Sequence, residues 1–143
     1  MKHGPPGNSG YEETISHNGH RLTPQRREVY EVLLAQRDHP TATEVFMRAK
    51  QRMPSISLAT VYNCLETLVD CGLAKQVNVE RDATRYCPNL DEHGHFMCER
   101  CGKVFDVPLA ASHHIEGTWD LPRGFTVTHS DFTLRGICAD CTR

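Results

Sequence analysis

The stretch SLATVYNCLETLVDCGLAKQVNVERDATRYC (residues 57–87) sets a helical pattern directly against a strand pattern. Leu58, Val61, Leu65, Leu68 and Val69 recur at helical spacing, and Gly72 supplies a stop. From there LAKQVNVERDATRYC alternates polar and apolar residues about E-R-D-A, as two short strands joined by a turn do. The other helix face carries Thr60, Tyr62, Asn63 and Thr67, uncharged groups that can hydrogen-bond bases and phosphates alike. A solvated helix face has the same composition, so this helix decides the matter only together with its neighbours.

Upstream, two more helices are predicted. Thr23 followed by Pro24 is an N-cap and a first helical position, and Val29, Leu33 and Tyr30, Leu34 continue at i, i+4, giving a helix over 24–36. T-A-T-E from Thr41 to Glu44 reads as a capping box, with Val45, Phe46, Ala49 and Met53 following and Pro54 closing a second helix. Three helices and a β-hairpin make a winged helix, a variant of the helix-turn-helix. We assign it to residues 21–88. Residues 1–20, rich in Gly, Pro, Asn and His, are expected to be a flexible tail without a fold.

Residues 89–143 read as a second, smaller unit, so the fold class is α+β. Strands are predicted around 95–98 and 104–107, a helix over 109–119, then strands at 125–128 and 132–137. Apolar content is thin there, which calls for a structural metal and a dimer interface.

The whole chain sets the outer limits. Its 143 residues fit one ordinary domain or two small ones. No run of about 18 apolar residues could span a bilayer, and the first residues carry no hydrophobic signal region, so a cytoplasmic protein is expected. Seven cysteines, an odd number with four in two C-x-x-C pairs, favour metal over disulfides in a reducing compartment. Net charge is only −2, but residues 21–52 hold seven Arg/Lys against four Asp/Glu while residues 89–143 hold five against eight. A mildly basic half joined to an acidic half is compatible with a DNA-facing part and a separate sensing part.

HGHFMCERCGKVFD (residues 93–106) holds more ligand chemistry than one ion can use. Cys98/Cys101 pair with Cys138/Cys141 as two knuckles that can close a tetrahedron around zinc, leaving no open position; such a site is structural. His93 and His95 alternate on a segment entering a strand and so share one face. With Asp106 nearby, they are better explained as a second, open metal site than as isolated structural histidines. Zinc deaminases also pair cysteines with a histidine, but need H-x-E and P-C-x-x-C around an open zinc. His93-Gly94-His95 lacks the glutamate and no proline precedes Cys98, so the chain is not read as an enzyme.

Taken together, RLTPQRREVYEVL, HPTATEVF, ISLATVYNCLETLVDCGL, TRYC, HGHFMCERCGKVFD and GICADC resemble the ferric uptake regulator family of dimeric, metal-dependent bacterial transcription regulators. The resemblance runs from Arg21 to Cys141. It implies a winged-helix DNA-binding domain, a C-terminal dimerisation domain, a structural zinc on Cys98, Cys101, Cys138 and Cys141, and a regulatory divalent metal (zinc, iron or manganese) at a hinge site. By motif, the regulatory ligands are His39, Cys87, His93, His95 and Asp106. Operator DNA and a second copy of the chain are the implied partners. Tyr62 with Ser57, Thr60 and Asn63 are the expected groove-facing residues, and Arg21, Gln25 and Arg26 the expected contacts beside them.

The departures bear on the metal. Cys87 stands where the iron and peroxide branches carry Asp or Glu; a thiolate softens the site toward zinc, or toward iron beside an oxidisable ligand. Gly94 and Ser130 stand where members with a third site carry ligands, so that site is not expected. Cys64 and Cys71 read as packing residues, and His113, His114 and His129 receive no role. The competing reading is a zinc-stabilised interaction module or metal buffer that does not bind DNA.

Overall fold

The computed structural model describes residues 8–78, 83–91, 93–108, 119–128 and 130–142. The chain divides into two compact units, Met1–Asp91 and Glu92–Arg143.

The first unit holds α1 (Asn8–His17), α2 (Pro24–Ala35), α3 (Ala42–Arg52) and α4 (Leu58–Asp70), followed by β1 (Lys75–Val77) and β2 (Arg85–Cys87). Local chemistry fixes the ends of the last three helices. Thr23 Oγ1 accepts from Arg26 N at 3.2 Å with Pro24 beside it. Thr41 Oγ1 accepts from Glu44 N at 3.3 Å while Glu44 Oε2 accepts from Thr41 N at 3.4 Å, a complete capping box. Ser57 Oγ accepts from Thr60 N at 3.1 Å. α4 ends at Gly72, whose φ of 73° lets Leu73 N reach Leu68 O at 2.9 Å and Gly72 N reach Val69 O at 3.0 Å, the left-handed closure that glycine adopts without a Cβ clash.

α2, α3 and α4 pack their apolar faces into one core built around Tyr30, Leu33, Val45, Val61, Leu65 and Leu68. β1 and β2 pair antiparallel, Gln76 opposite Tyr86; the turn residues 80–82 lie outside the described residues. This is the predicted three-helix and hairpin arrangement.

Two expectations are corrected here. The sequence predicts no fold for the tail, yet α1 begins at Asn8 and buries Tyr11 and Ile15 in the same core. Tyr11 rests on Tyr30 with ring centroids 5.0 Å apart, and Glu12 pairs with Arg27 at 2.8 Å. Packing on the core supplies the stability that this Gly- and Asn-bearing segment lacks alone. Thr67, placed by the pattern on the polar face, is buried and donates its hydroxyl to Asn63 O at 3.1 Å, which is how a threonine satisfies itself inside a core.

The second unit is a three-stranded sheet, β3 (His93–Cys98), β4 (Val104–Pro108) and β5 (Thr133–Gly136), in the order β4-β3-β5. β3 pairs antiparallel with β4, placing His95 opposite Asp106, and parallel with β5, placing Cys98 opposite Gly136. Residues 125–128 are described and form no strand: their alternation fits a strand, but no neighbouring strand pairs with them among the described residues. The helix predicted over 109–119 lies outside the described residues except Trp119, which is not helical. No described helix is long and apolar enough to cross a membrane.

Candidate metal centres and nucleic-acid interface

The parallel pairing of β3 with β5 brings the two knuckles side by side. β3 ends on Cys98, and Gly102, at a φ of 73°, turns the chain so that its N–H reaches Cys98 O at 2.9 Å. Just past β5, Cys141 N and Thr142 N both donate to Cys138 O at 3.1 Å. Bonds from Glu99 N to Gly136 O at 2.8 Å and from Arg100 Nη1 to Cys141 O at 2.8 Å help tie the knuckles together.

All four sulfurs lie within 4.8 Å of one another, and Cys101 Sγ is 3.8 Å from Cys138 Sγ. A zinc tetrahedron with Zn–S near 2.3 Å has an edge of about 3.8 Å. The donor set therefore fits a closed zinc site.

The thiols are polarised for it. Backbone N–H groups of Cys101 and Cys138 point at Cys98 Sγ from 3.5 and 3.4 Å and pull that thiol down to about 6. Hydrogen bonding to Cys138 pushes the Cys141 thiol up to about 12. Thiols this close resist ionising together unless a cation neutralises them. Cys98 and Cys138 are buried, while the intervening Glu99, Arg100, Ala139 and Asp140 are exposed turn residues.

A separate cluster sits farther back on the same sheet. Strand alternation puts His93 and His95 on one face, and the β3–β4 register brings Asp106 across to them. Their Nε2 atoms are 3.1 Å apart, and Asp106 Oδ1 lies 3.2 Å from His93 Nε2 and 3.4 Å from His95 Nε2. Donors about 2.0–2.1 Å from a tetrahedral ion would be about 3.4 Å apart, so these three atoms fit one coordination sphere. His93's side chain is 2% exposed and that of Asp106 30%, so the cluster opens to one side. Between the histidines, Gly94 faces the other way. A Cβ there would sit 3.3 Å from Phe132 Cβ, so packing accounts for the missing side chain at that position.

The first unit contributes its own pair. His39 and Cys87 are both buried, and their donor atoms lie within 4.8 Å of each other. β2 brings them together: Tyr86 N donates to Pro40 O at 3.0 Å and Arg85 Nη1 to His39 O at 3.1 Å.

On the face proposed for DNA, Tyr62 is 51% exposed and Asn63 is exposed. Ser57 and Thr60 share a 2.8 Å contact between hydroxyls at the start of α4, so both also serve the helix cap. Arg21 and Gln25 are exposed, and Arg26 donates its guanidinium to Arg21 O, bracing the approach to α2. Sequence reasoning missed Asp38, Arg48 and Arg85, which surround His39; no local pattern marks them.

Comparison with known proteins supplies the wider frame. The ferric uptake regulator family model matches residues 17–135. A peroxide-responsive repressor, PerR, of Staphylococcus saprophyticus is 34% identical over 128 residues, covering 90% of this chain and 86% of that protein. The crystal structure of the Campylobacter jejuni peroxide stress regulator superposes with a TM-score of 0.68 at 30% identity, covering 92% of this chain and 94% of that one. A zinc uptake regulator complexed with zinc and DNA gives a TM-score of 0.69 at 27% identity, covering 94% and 91%.

Proposed function

The chain belongs to the ferric uptake regulator family, and from that premise we propose that it is a homodimeric, metal-dependent DNA-binding transcriptional regulator. It acts in the cytoplasm as a repressor of metal-homeostasis or peroxide-stress genes. Residues 21–88 bind operator DNA and residues 89–143 bind metal and dimerise. Cys98, Cys101, Cys138 and Cys141 hold a structural zinc. His39 and Cys87 join His93, His95 and Asp106 as ligands of a regulatory zinc, iron or manganese ion.

The observation that carries this reading is the convergence of the His93, His95 and Asp106 donors within 3.1–3.4 Å, on the same sheet as a separate, closed cysteine tetrad. A structural metal needs only the tetrad. A divalent ion on the second set supplies a link that favours the DNA-competent arrangement, because a ligand shifts an equilibrium by its differential affinity for the two states. On the DNA side, Tyr62 and Asn63 face the groove and Arg21, Gln25 and Arg26 approach phosphates. Two symmetry-related copies favour a palindrome with half-sites about one helical turn apart.

The test is an operator-binding titration with iron, manganese and zinc, before and after peroxide, on the parent, His93→Ala and Cys87→Asp. His93→Ala should keep the structural zinc and lose metal-dependent DNA binding. Operator binding that is equally tight without a second metal, and indifferent to His93, refutes the reading.

A further inference from the structure

Among the described residues His39 is the one non-glycine residue with a positive φ, at 58°. In that left-handed region an L side chain crowds its own backbone. Pro40 closes the right-handed alternative, since a residue before proline is disfavoured there. His39 is also only 3% exposed, so solvent does not relax it. The conformation is held from outside.

It is held on both sides. After His39, β2 takes the carbonyls of His39 and Pro40, through Arg85 Nη1 at 3.1 Å and Tyr86 N at 3.0 Å. Before it, Arg48 on α3 grips both carboxylate oxygens of Asp38, Nη1 to Oδ1 at 2.9 Å and Nη2 to Oδ2 at 2.7 Å. Gln36 Nε2 adds a third bond to Oδ2 at 3.2 Å. A two-point fork fixes orientation as well as distance. The capping box then ties Thr41 to the start of the same helix, so His39 and Pro40 are strung between two anchors on α3.

We propose that the Arg48–Asp38 pair is a positioning device for the regulatory metal: it holds the chain before His39 against α3, so that the imidazole is presented to an ion in advance. This rests on the reading of His39 as a ligand of that ion. A ligand fixed beforehand loses little freedom on binding. The side chains of Arg48 and Asp38 are 28% and 41% exposed, and exposed pairs contribute little to stability. The effect therefore belongs in metal affinity rather than in melting temperature. Residues that support a metal ligand typically change affinity 10- to 100-fold; the partial exposure of this pair places it near tenfold.

The experiment uses the full-length protein with its cysteine tetrad loaded with zinc and cobalt(II) as the probe for the second site, followed by absorption in competition titrations. Arg48→Met and Asp38→Asn should each weaken cobalt binding about tenfold while the zinc content and melting temperature stay at parental values. Arg48→Lys, which keeps the charge and loses the fork, should remain as weak as Arg48→Met. His39→Ala should lower second-site cobalt affinity roughly hundredfold. If Arg48→Met and Asp38→Asn bind cobalt as the parent does while His39→Ala does not, the positioning role is overturned and the ligand reading stands. If Arg48→Lys restores parental affinity, charge alone acts and the positioning role is likewise overturned. If His39→Ala binds as the parent does, the ligand reading falls, and the positioning role with it. Should Arg48→Met melt early, Asp38→Asn, which keeps the side-chain shape, decides alone.

Discussion

Removing the tetrad's metal should unfold the second unit and leave the first standing. Among the described residues of the second unit, the buried hydrophobic ones are Cys98, Val104 and Cys138. Among the described residues of that unit, one valine is therefore the only buried apolar residue that is not a tetrad ligand. Burying a valine contributes about 1.5–3 kcal/mol, whereas zinc on structural ligands contributes an apparent ~10–16 kcal/mol at neutral pH. Among the described residues, the metal outweighs that buried core several-fold. The first unit has Tyr30, Leu33, Leu65 and Leu68 fully buried and no need of an ion.

The chain supplies separate reporters for the two units. Its single tryptophan, Trp119, stacks on Phe132 in the second unit with centroids 6.4 Å apart and planes at 19°. The described helices all lie in the first unit and dominate ellipticity at 222 nm. Cys98→Ser in reduced protein, or chelation of the parent, should release the tetrad zinc and change tryptophan emission as the stack of Trp119 on Phe132 is lost. Most of the 222 nm signal should persist. Zinc-free Cys98→Ser that keeps parental emission and hydrogen-exchange protection along β3 would refute the reasoning.

Thr41→Ala removes the acceptor for Glu44 N and should cost about 1 kcal/mol, read as a fall of about 4–8 °C in the melting of the first unit. Tyr62→Ala should change which operator sequences bind, whereas Arg26→Ala should weaken all of them and flatten the salt dependence; unchanged binding in both, measured on a selected operator, would count against the interface drawn here. Burial holds the Tyr30 phenol above its ordinary 10.0, partly offset by Arg37. The folded state thus keeps that proton more tightly than the unfolded chain, so stability is intact below about pH 10 and falls as pH rises through the folded value. Tyr30→Phe should flatten this alkaline limb in denaturant titrations.

What could be read from the sequence followed the range of the interactions. The starts of α2, α3 and α4 were legible because Thr23, Thr41 with Glu44, and Ser57 act within three residues of themselves, and Gly72 closes α4 just as locally. The cysteine tetrad was legible because two tight pairs carry its chemistry. α1 was not, since its anchors, Tyr11 and Ile15 in the core and Glu12 on Arg27, all act on partners elsewhere in the chain. The surroundings of His39 were hidden for the same reason: Arg48 reaches Asp38 across ten positions and Arg85 reaches His39 across 46.

If the five donors act as proposed, their placement also sets how large the switch can be. His93, His95 and Asp106 converge within the second unit by strand pairing alone, and His39 and Cys87 come together within the first through β2. On the proposed reading, an ion meets three donors in one arrangement and five in the other. Only the two added donors discriminate between the arrangements. Driving a two-state equilibrium from about 1:99 to 99:1 takes roughly 5.5 kcal/mol of differential affinity, about 10⁴-fold. Divided equally between two donors, that is roughly hundredfold for each. Cys87→Ser and His39→Ala should therefore each lower second-site affinity roughly hundredfold, while His93→Ala should remove binding in both arrangements. Equal losses for all three variants, in direct metal titrations, would mean that the site acts as a single unit and that His39 and Cys87 carry no special share of the switch.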